Sequence, residues 1–147
     1  MSRAEPVDVL LVEDSPQDAE LTLRALRKTA LTHPVCLVRD GQEALDFLHS
    51  EGSHAGRAGL PPPRLVLLDL KLPKVDGLEV LSRIRSDTRT QRIPVVILSS
   101  SREPSDLQTS YDLGANSYVV KPVMHVEFER RVEELGTYWL MINEIPQ

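Results

Sequence analysis

Cysteine is nearly absent: in 147 residues only Cys36 occurs. A lone thiol can neither close an intramolecular disulfide nor supply a multi-cysteine zinc site, and it is expected to sit reduced in the core as a small hydrophobe. Also missing is any apolar run near the ~20 residues that span a bilayer, and the stretch Met1 to Pro6 lacks the apolar segment of a secretion signal. The expectation is a cytoplasmic protein with no membrane association. An excess of positive charge is lacking too: 17 Lys and Arg against 22 Asp and Glu leave a formal net charge of −5. No broad basic field is then available to attract DNA phosphates, so the expected partner is a protein or a small ligand and not a nucleic acid.

What is present fits one ordinary globular domain, 41% hydrophobic and 27% charged. Four short runs are rich in branched apolar residues, Val7 to Val12, Leu65 to Leu68, Val95 to Leu98 and Tyr118 to Val120, with a weaker one at Val35 to Val38. Continuous hydrophobicity marks strands covered on both faces, as in a parallel sheet. Helix start signals lie between them. Ser15-Pro16 offers an N-cap followed by proline at the first helical position, and Asp40 to Glu43 and Asp76 to Glu79 read as capping boxes. Pro104 opens a fourth helix that Gly114 closes, and Pro122 precedes a fifth. The pattern is βα repeated five times, which right-handed crossovers wind into an α/β doubly wound sheet. Residues 49–63, ending in Pro61-Pro62-Pro63, read as a surface insertion before the third strand.

Ligands of open α/β sheets sit beyond the carboxyl ends of the strands. Here the first strand runs into Glu13-Asp14, the third into Asp69, the fourth into Ser99 and the fifth into Lys121. Each residue alone is also what a helix cap, a turn or a solvated surface carries. Four strand ends together present three acids and one ammonium, a local formal charge of about −2 that would repel itself unless a cation joined it. Hard oxygen donors at an open edge favour Mg2+.

These residues also carry a resemblance. V-D-V-L-L-V-E-D at 7–14, L-V-L-L-D-L-K-L-P-K-V-D-G at 65–77, I-P-V-V-I-L-S-S at 93–100 and G-A-N-S-Y-V-V-K-P at 114–122 resemble the signature blocks of two-component response-regulator receiver domains. The resemblance covers about residues 7–135 and implies a flavodoxin/CheY-like (βα)5 fold with parallel strand order 2-1-3-4-5. It implies that Asp69 is the phosphoacceptor, with Asp14 on Mg2+ directly, Glu13 through water, and the backbone carbonyl of Lys71 completing the protein's share. Ser99 stands at the switch hydroxyl, Lys121 at the family's lysine and Tyr118 at the aromatic switch position. Glu13 departs from the more familiar Asp-Asp pair but keeps the charge, and Ser99 replaces the commoner threonine but keeps the hydroxyl. The expected product is an acyl phosphate formed on Asp69 from a histidine kinase. The backbone N–H groups of Leu70 and Ser100 are expected to help cover the phosphoryl oxygens. No catalysis is expected beyond the chain's own phosphorylation and autodephosphorylation. A Mg2+-dependent phosphohydrolase of the haloacid-dehalogenase type also uses an aspartate nucleophile, but it needs a second acid two residues later, where this chain has Lys71. An intermediate phosphorelay shuttle remains an open alternative to a terminal regulator.

With no output domain in sight after residue 147, the output is expected to be a protein contact. Tyr138 to Ile142 are five apolar residues in a row, a patch of the kind that marks an interface. The expected division is a receiver at 1–135 and a C-terminal extension at 136–147, with Tyr138, Trp139, Leu140, Ile142 and Pro146 in a homodimer interface. S-R-E-P-S-D at 101–106, the W-L-M-I-N tail and the 49–63 loop also resemble single-domain regulators that partner bacterial phytochrome histidine kinases. Those are homodimers, some with exchanged C-terminal arms.

Overall fold

Successive side chains of a strand leave on opposite faces of the sheet, so a strand apolar at every position feeds two cores. Strands β1 (Val9–Val12), β3 (Leu65–Leu68) and β4 (Val95–Ser99) are buried along their whole length. Leu10, Val12, Val66, Leu68, Val95 and Ile97 join one apolar cluster, while Val9, Leu11, Leu65, Leu67, Val96 and Leu98 join another. The first cluster is closed by helices α2 (Gly41–His49) and α3 (Gly77–Ser86), the second by α1 (Pro16–Thr29) and α5 (His125–Thr137). With β2 (Val35–Val38) and β5 (Ser117–Val120) at the edges, the five strands run parallel in the order β2-β1-β3-β4-β5, as expected from the sequence. The structure, a computed structural model, describes residues 5–29 and 33–146.

The edge strands depart from the expectation of cover on both faces. All four residues of β5 and three of four in β2 are only half-buried, because each has one strand neighbour instead of two. The helix starts form as expected on one side only. Ser15 Oγ accepts from Asp18 N at 3.3 Å, Asp40 Oδ1 from Glu43 N at 2.8 Å and Asp76 Oδ1 from Glu79 N at 3.0 Å. The reciprocal arm of each capping box is directed elsewhere: Glu43 pairs with His54 at 3.1 Å and Glu79 accepts from Arg83 at 3.3 Å. Helix α4 (Pro104–Asp112) opens on proline as expected, but Ser110 is its only buried residue.

Two expectations need correction. The 49–63 segment is not a bare surface insertion. Its Gly52–Arg57 stretch is a 3-10 helix, and Arg57 is buried, with its guanidinium 4.0 Å over the Phe47 ring and Nη1 donating to the Glu5 carbonyl at 3.0 Å. A division at residue 135 falls inside α5, which runs to Thr137 and continues into a π-type turn at Tyr138–Ile142. Leu140 is 3% exposed and belongs to the α1/α5 cluster, so it packs in its own protomer instead of waiting at an interface; Trp139 is half-buried against the same cluster. Gly136 permits this approach, since a Cβ there would lie 3.1 Å from the Leu26 side chain.

Candidate functional site

The parallel register carries four strand ends to one edge of the sheet. Glu13 and Asp14 follow β1, Asp69 follows β3, Ser99 ends β4 and Lys121 follows β5. Glycine brings the last turn of this edge close: a Cβ on Gly77 would stand 2.2 Å from the Asp69 carbonyl oxygen, and one on Gly41 would stand 1.8 Å from that of Val75. The N-termini of α2 and α3 are thereby pressed against the loop that follows Asp69.

Lys121 is the hub. Its Nζ donates to Glu13 Oε1 at 2.6 Å, to Asp69 Oδ2 at 2.9 Å and to Asp18 Oδ2 at 2.9 Å. The other oxygen of Asp69 accepts from Leu70 N at 2.7 Å and Lys71 N at 3.4 Å. So the Leu70 N–H, expected to meet a phosphoryl oxygen, serves the carboxylate itself in this state. Glu13 is 2% exposed, and burial lifts its carboxyl to about 7 with a further push from the Asp69 charge, although the bond from Lys121 pulls the other way. Burial would push the Lys121 ammonium down, but its bond to Glu13, the charges of Asp69 and Glu13 and its bond to Asp18 outweigh this and hold it above its ordinary value.

Glu13, Asp14 and Asp69 each offer a carboxylate oxygen, and these atoms lie within 4.8 Å of one another. Asp14 is exposed, Glu13 is turned inward to Lys121, and Asp69 is buried at the edge. An all-oxygen donor set of net negative charge at an accessible edge fits a hard divalent cation.

Ser99 is 1% exposed, and its Oγ accepts from Ser101 N at 3.2 Å. Tyr118 lies outside the acidic cluster: its ring is half-buried against the α2/α3 core, and its Oη donates to the Ser101 carbonyl at 2.9 Å. Ser101 in turn donates to Asp106 Oδ2 at 2.5 Å and accepts from Glu103 N at 3.2 Å, tying the β4–α4 loop to the first turn of α4. Tyr138, Trp139 and Ile142 lie beyond the far end of the 13-residue α5, about 20 Å of helix from its start beside Lys121.

Sequence reasoning passed over Asp18. An acid in the first helical turn reads as a complement to the helix dipole, and only its position three residues past the Ser15 cap hinted at the strand-end cluster. With Asp18, three carboxylates rather than two hold the ammonium, and four acids rather than three gather at the strand-end site.

Comparison with known proteins agrees with this geometry. The response regulator receiver domain matches residues 9–133. The probable methanogenesis regulatory protein FilR2 of Methanothrix harundinacea is 44% identical over 142 residues, spanning 97% of this chain and 89% of its own. Among solved structures, the phosphorylated cyanobacterial phytochrome response regulator RcpA superposes with a TM-score of 0.89 at 40% identity, covering 97% of this chain and 100% of its own. The bacteriophytochrome response regulator AtBRR is 52% identical with a TM-score of 0.73, covering 96% and 100%. The Mn(2+)-bound form of response regulator Rcp1 is 37% identical with a TM-score of 0.88, covering 97% and 100%.

Proposed function

The chain belongs to the response regulator receiver family and is a response regulator of phosphorelay signalling; on that premise we propose that Asp69 is its phosphoacceptor. The observation that carries the assignment is the Asp69 carboxylate, held by Lys121 at 2.9 Å and grouped with Glu13 and Asp14. An Asp69 oxygen attacks phosphorus, the bond to the donor's nitrogen or oxygen breaks, and the product is an acyl phosphate. Lys121 offers its ammonium to the arriving phosphoryl oxygens, and Ser99 turns its hydroxyl from accepting to donating. Asp14, Asp69 and the Lys71 carbonyl would hold Mg2+ directly and Glu13 through water, and the ion would supply positive charge that lowers the repulsion between carboxylate and phosphoryl group. Tyr118 reports the change through its bond to the Ser101 carbonyl, which leads to Asp106 and α4, the helix least anchored in the core.

The donor proposed is a histidine kinase, and specifically a phytochrome kinase, a reading supported by the likeness to RcpA and AtBRR. We place the protein in the cytoplasm, working as a homodimer through its C-terminal segment, with neither nucleic acid nor membrane as partner and no catalysis beyond its own phosphorylation and dephosphorylation. The test uses acetyl phosphate with Mg2+, read as the mass increase of the intact chain. Wild type gains one phosphoryl group and Asp69→Asn gains none while keeping its circular dichroism. Label on a folded Asp69→Asn variant would end the assignment. Brief mixing with purified autophosphorylated kinases, phytochrome kinases among them, then scores the partner by preferential transfer.

A further inference from the structure

The loop before β3, to which the receiver reading gives no role, meets the end of the C-terminal tail at one place. They wall a cavity of about 480 Å³ at the amino ends of the strands, opposite Asp69. Its apolar lining comes from both: Pro61 to Pro63 on the loop side, Ile145 and Pro146 on the tail side, with Pro6 and Pro94 between. Proline walls are stiff, since the ring fixes the backbone.

The polar groups in this bowl are mostly arginine, and their partners decide what the bowl can hold. Asp8 is its one acid, and that carboxylate is engaged by His33 Nδ1 at 2.6 Å. Arg89 is held by both oxygens of Asp87, at 3.1 and 2.8 Å. Arg64 and Arg92 have no salt-bridge partner among the described residues. Arg64 Nε is buried and unbonded there as well. A desolvated guanidinium donor without an acceptor is costly to leave so, and an anion is its natural complement. A cavity of this size with apolar walls and a few convergent polar groups has the anatomy of a small-molecule site.

We propose that this bowl binds a small amphipathic anion, an apolar body seated among the prolines with its carboxylate or phosphate on Arg64 and Arg92. The site is separate from the phosphoacceptor edge and needs nothing from it. Occupancy would tie the loop before β3 to the tail.

The test is a titration of the 15N-labelled full chain with 2-naphthoate, beside its neutral analogue 2-naphthylmethanol and, as a bare anion, inorganic phosphate. The expected result is saturable shifts at the amides of Asp8, Arg64, Thr88 and Ile93, with those of Asp14 and Lys121 unmoved. Naphthoate should bind at least about tenfold tighter than the alcohol or phosphate, because one charge-assisted hydrogen bond is worth that much. Arg92→Gln lies on the exposed rim, keeps the fold, and should weaken naphthoate by about the same factor; Arg64→Gln should weaken it further. Acetyl phosphate labelling at Asp69 checks that each variant is folded, and it stays intact whether or not the bowl binds anything. Equal affinity for acid and alcohol, unchanged affinity in folded Arg92→Gln, or shifts confined to other surfaces would each overturn the proposal.

Discussion

One ammonium faces three carboxylates at Lys121, and the three are not equivalent. Glu13 and Asp69 are largely buried, whereas the Asp18 side chain is 31% exposed and reaches in from the first turn of α1. Asp18 thus adds negative charge close to where a phosphoryl group must arrive, and it competes for the Lys121 ammonium. Changing Asp18 to Asn should speed labelling of Asp69 by acetyl phosphate about threefold, the effect of one unit charge several ångströms away in a water-like medium. Slower labelling would instead make Asp18 the residue that positions Lys121. Cys36 gives a second check at this scale. Burial raises its thiol pKa, with the Glu43 charge adding to the effect, so at a given alkaline pH less thiolate is present in the folded chain than in the unfolded one. Reaction with a disulfide reagent at pH 8 should be slower for the native protein than in urea, and equal rates would contradict the burial.

The helices α2 and α3 approach this edge where glycine leaves room for backbone. The first residue of α3 sits so near Asp69 that a methyl group on Gly77 would force the backbone of Asp69 and Leu70 to move. Gly77→Ala should destabilise the fold by about 1–3 kcal/mol, the usual range for overpacking, seen as a lower urea midpoint, and should slow Asp69 labelling. A midpoint within experimental error of wild type would mean that the loop yields freely. What the sequence disclosed tracks the range of the interactions. Glu13, Asp14, Asp69, Ser99 and Lys121 were legible because each is fixed by the local event of a strand ending, and the register of a parallel sheet does the rest. The caps at Ser15, Asp40 and Asp76 were legible for the same reason. Arg57 was not: a charged residue in a glycine-rich stretch reads as solvated, and only the tertiary position of Phe47 and Glu5 makes it a buried anchor. Nor could five consecutive apolar residues at 138–142 reveal which of them face inward, since a helical turn sends neighbours in different directions.

The whole molecule exposes apolar side chains at both ends of α5: Val123, Met124 and Val126 at its start, near the chemistry, and Tyr138, Met141 and Ile142 at its far end. Tyr138, Met141 and Ile142 are 47%, 62% and 60% exposed, while Leu140 between them is sunk in the core. Tyr138 is held edge-on against Trp139, ring centroids 5.1 Å apart, so part of this surface is already ordered before any partner arrives. Pre-ordered apolar groups lose little entropy on docking, and a second copy of the chain offers the same face for a self-complementary contact. In the proposed homodimer, replacing the exposed pair by charge, Met141→Glu with Ile142→Glu, should weaken association by at least about 30-fold, or 2 kcal/mol, the size of a hot-spot loss. Because both side chains point to solvent, the thermal midpoint of the diluted chain should hardly change. Leu140→Ala is the counterpart. It empties a core position and should lower stability by about 2–5 kcal/mol without being a contact to the partner. Truncating the chain after Leu135 would confuse the two effects, since it removes Leu140 together with the exposed face. The measurement is mass by light scattering over a concentration series, with and without acetyl phosphate. A wild type that stays monomeric throughout, or a double glutamate variant that associates as tightly as wild type, would leave the tail as packing for its own protomer and place the output surface elsewhere.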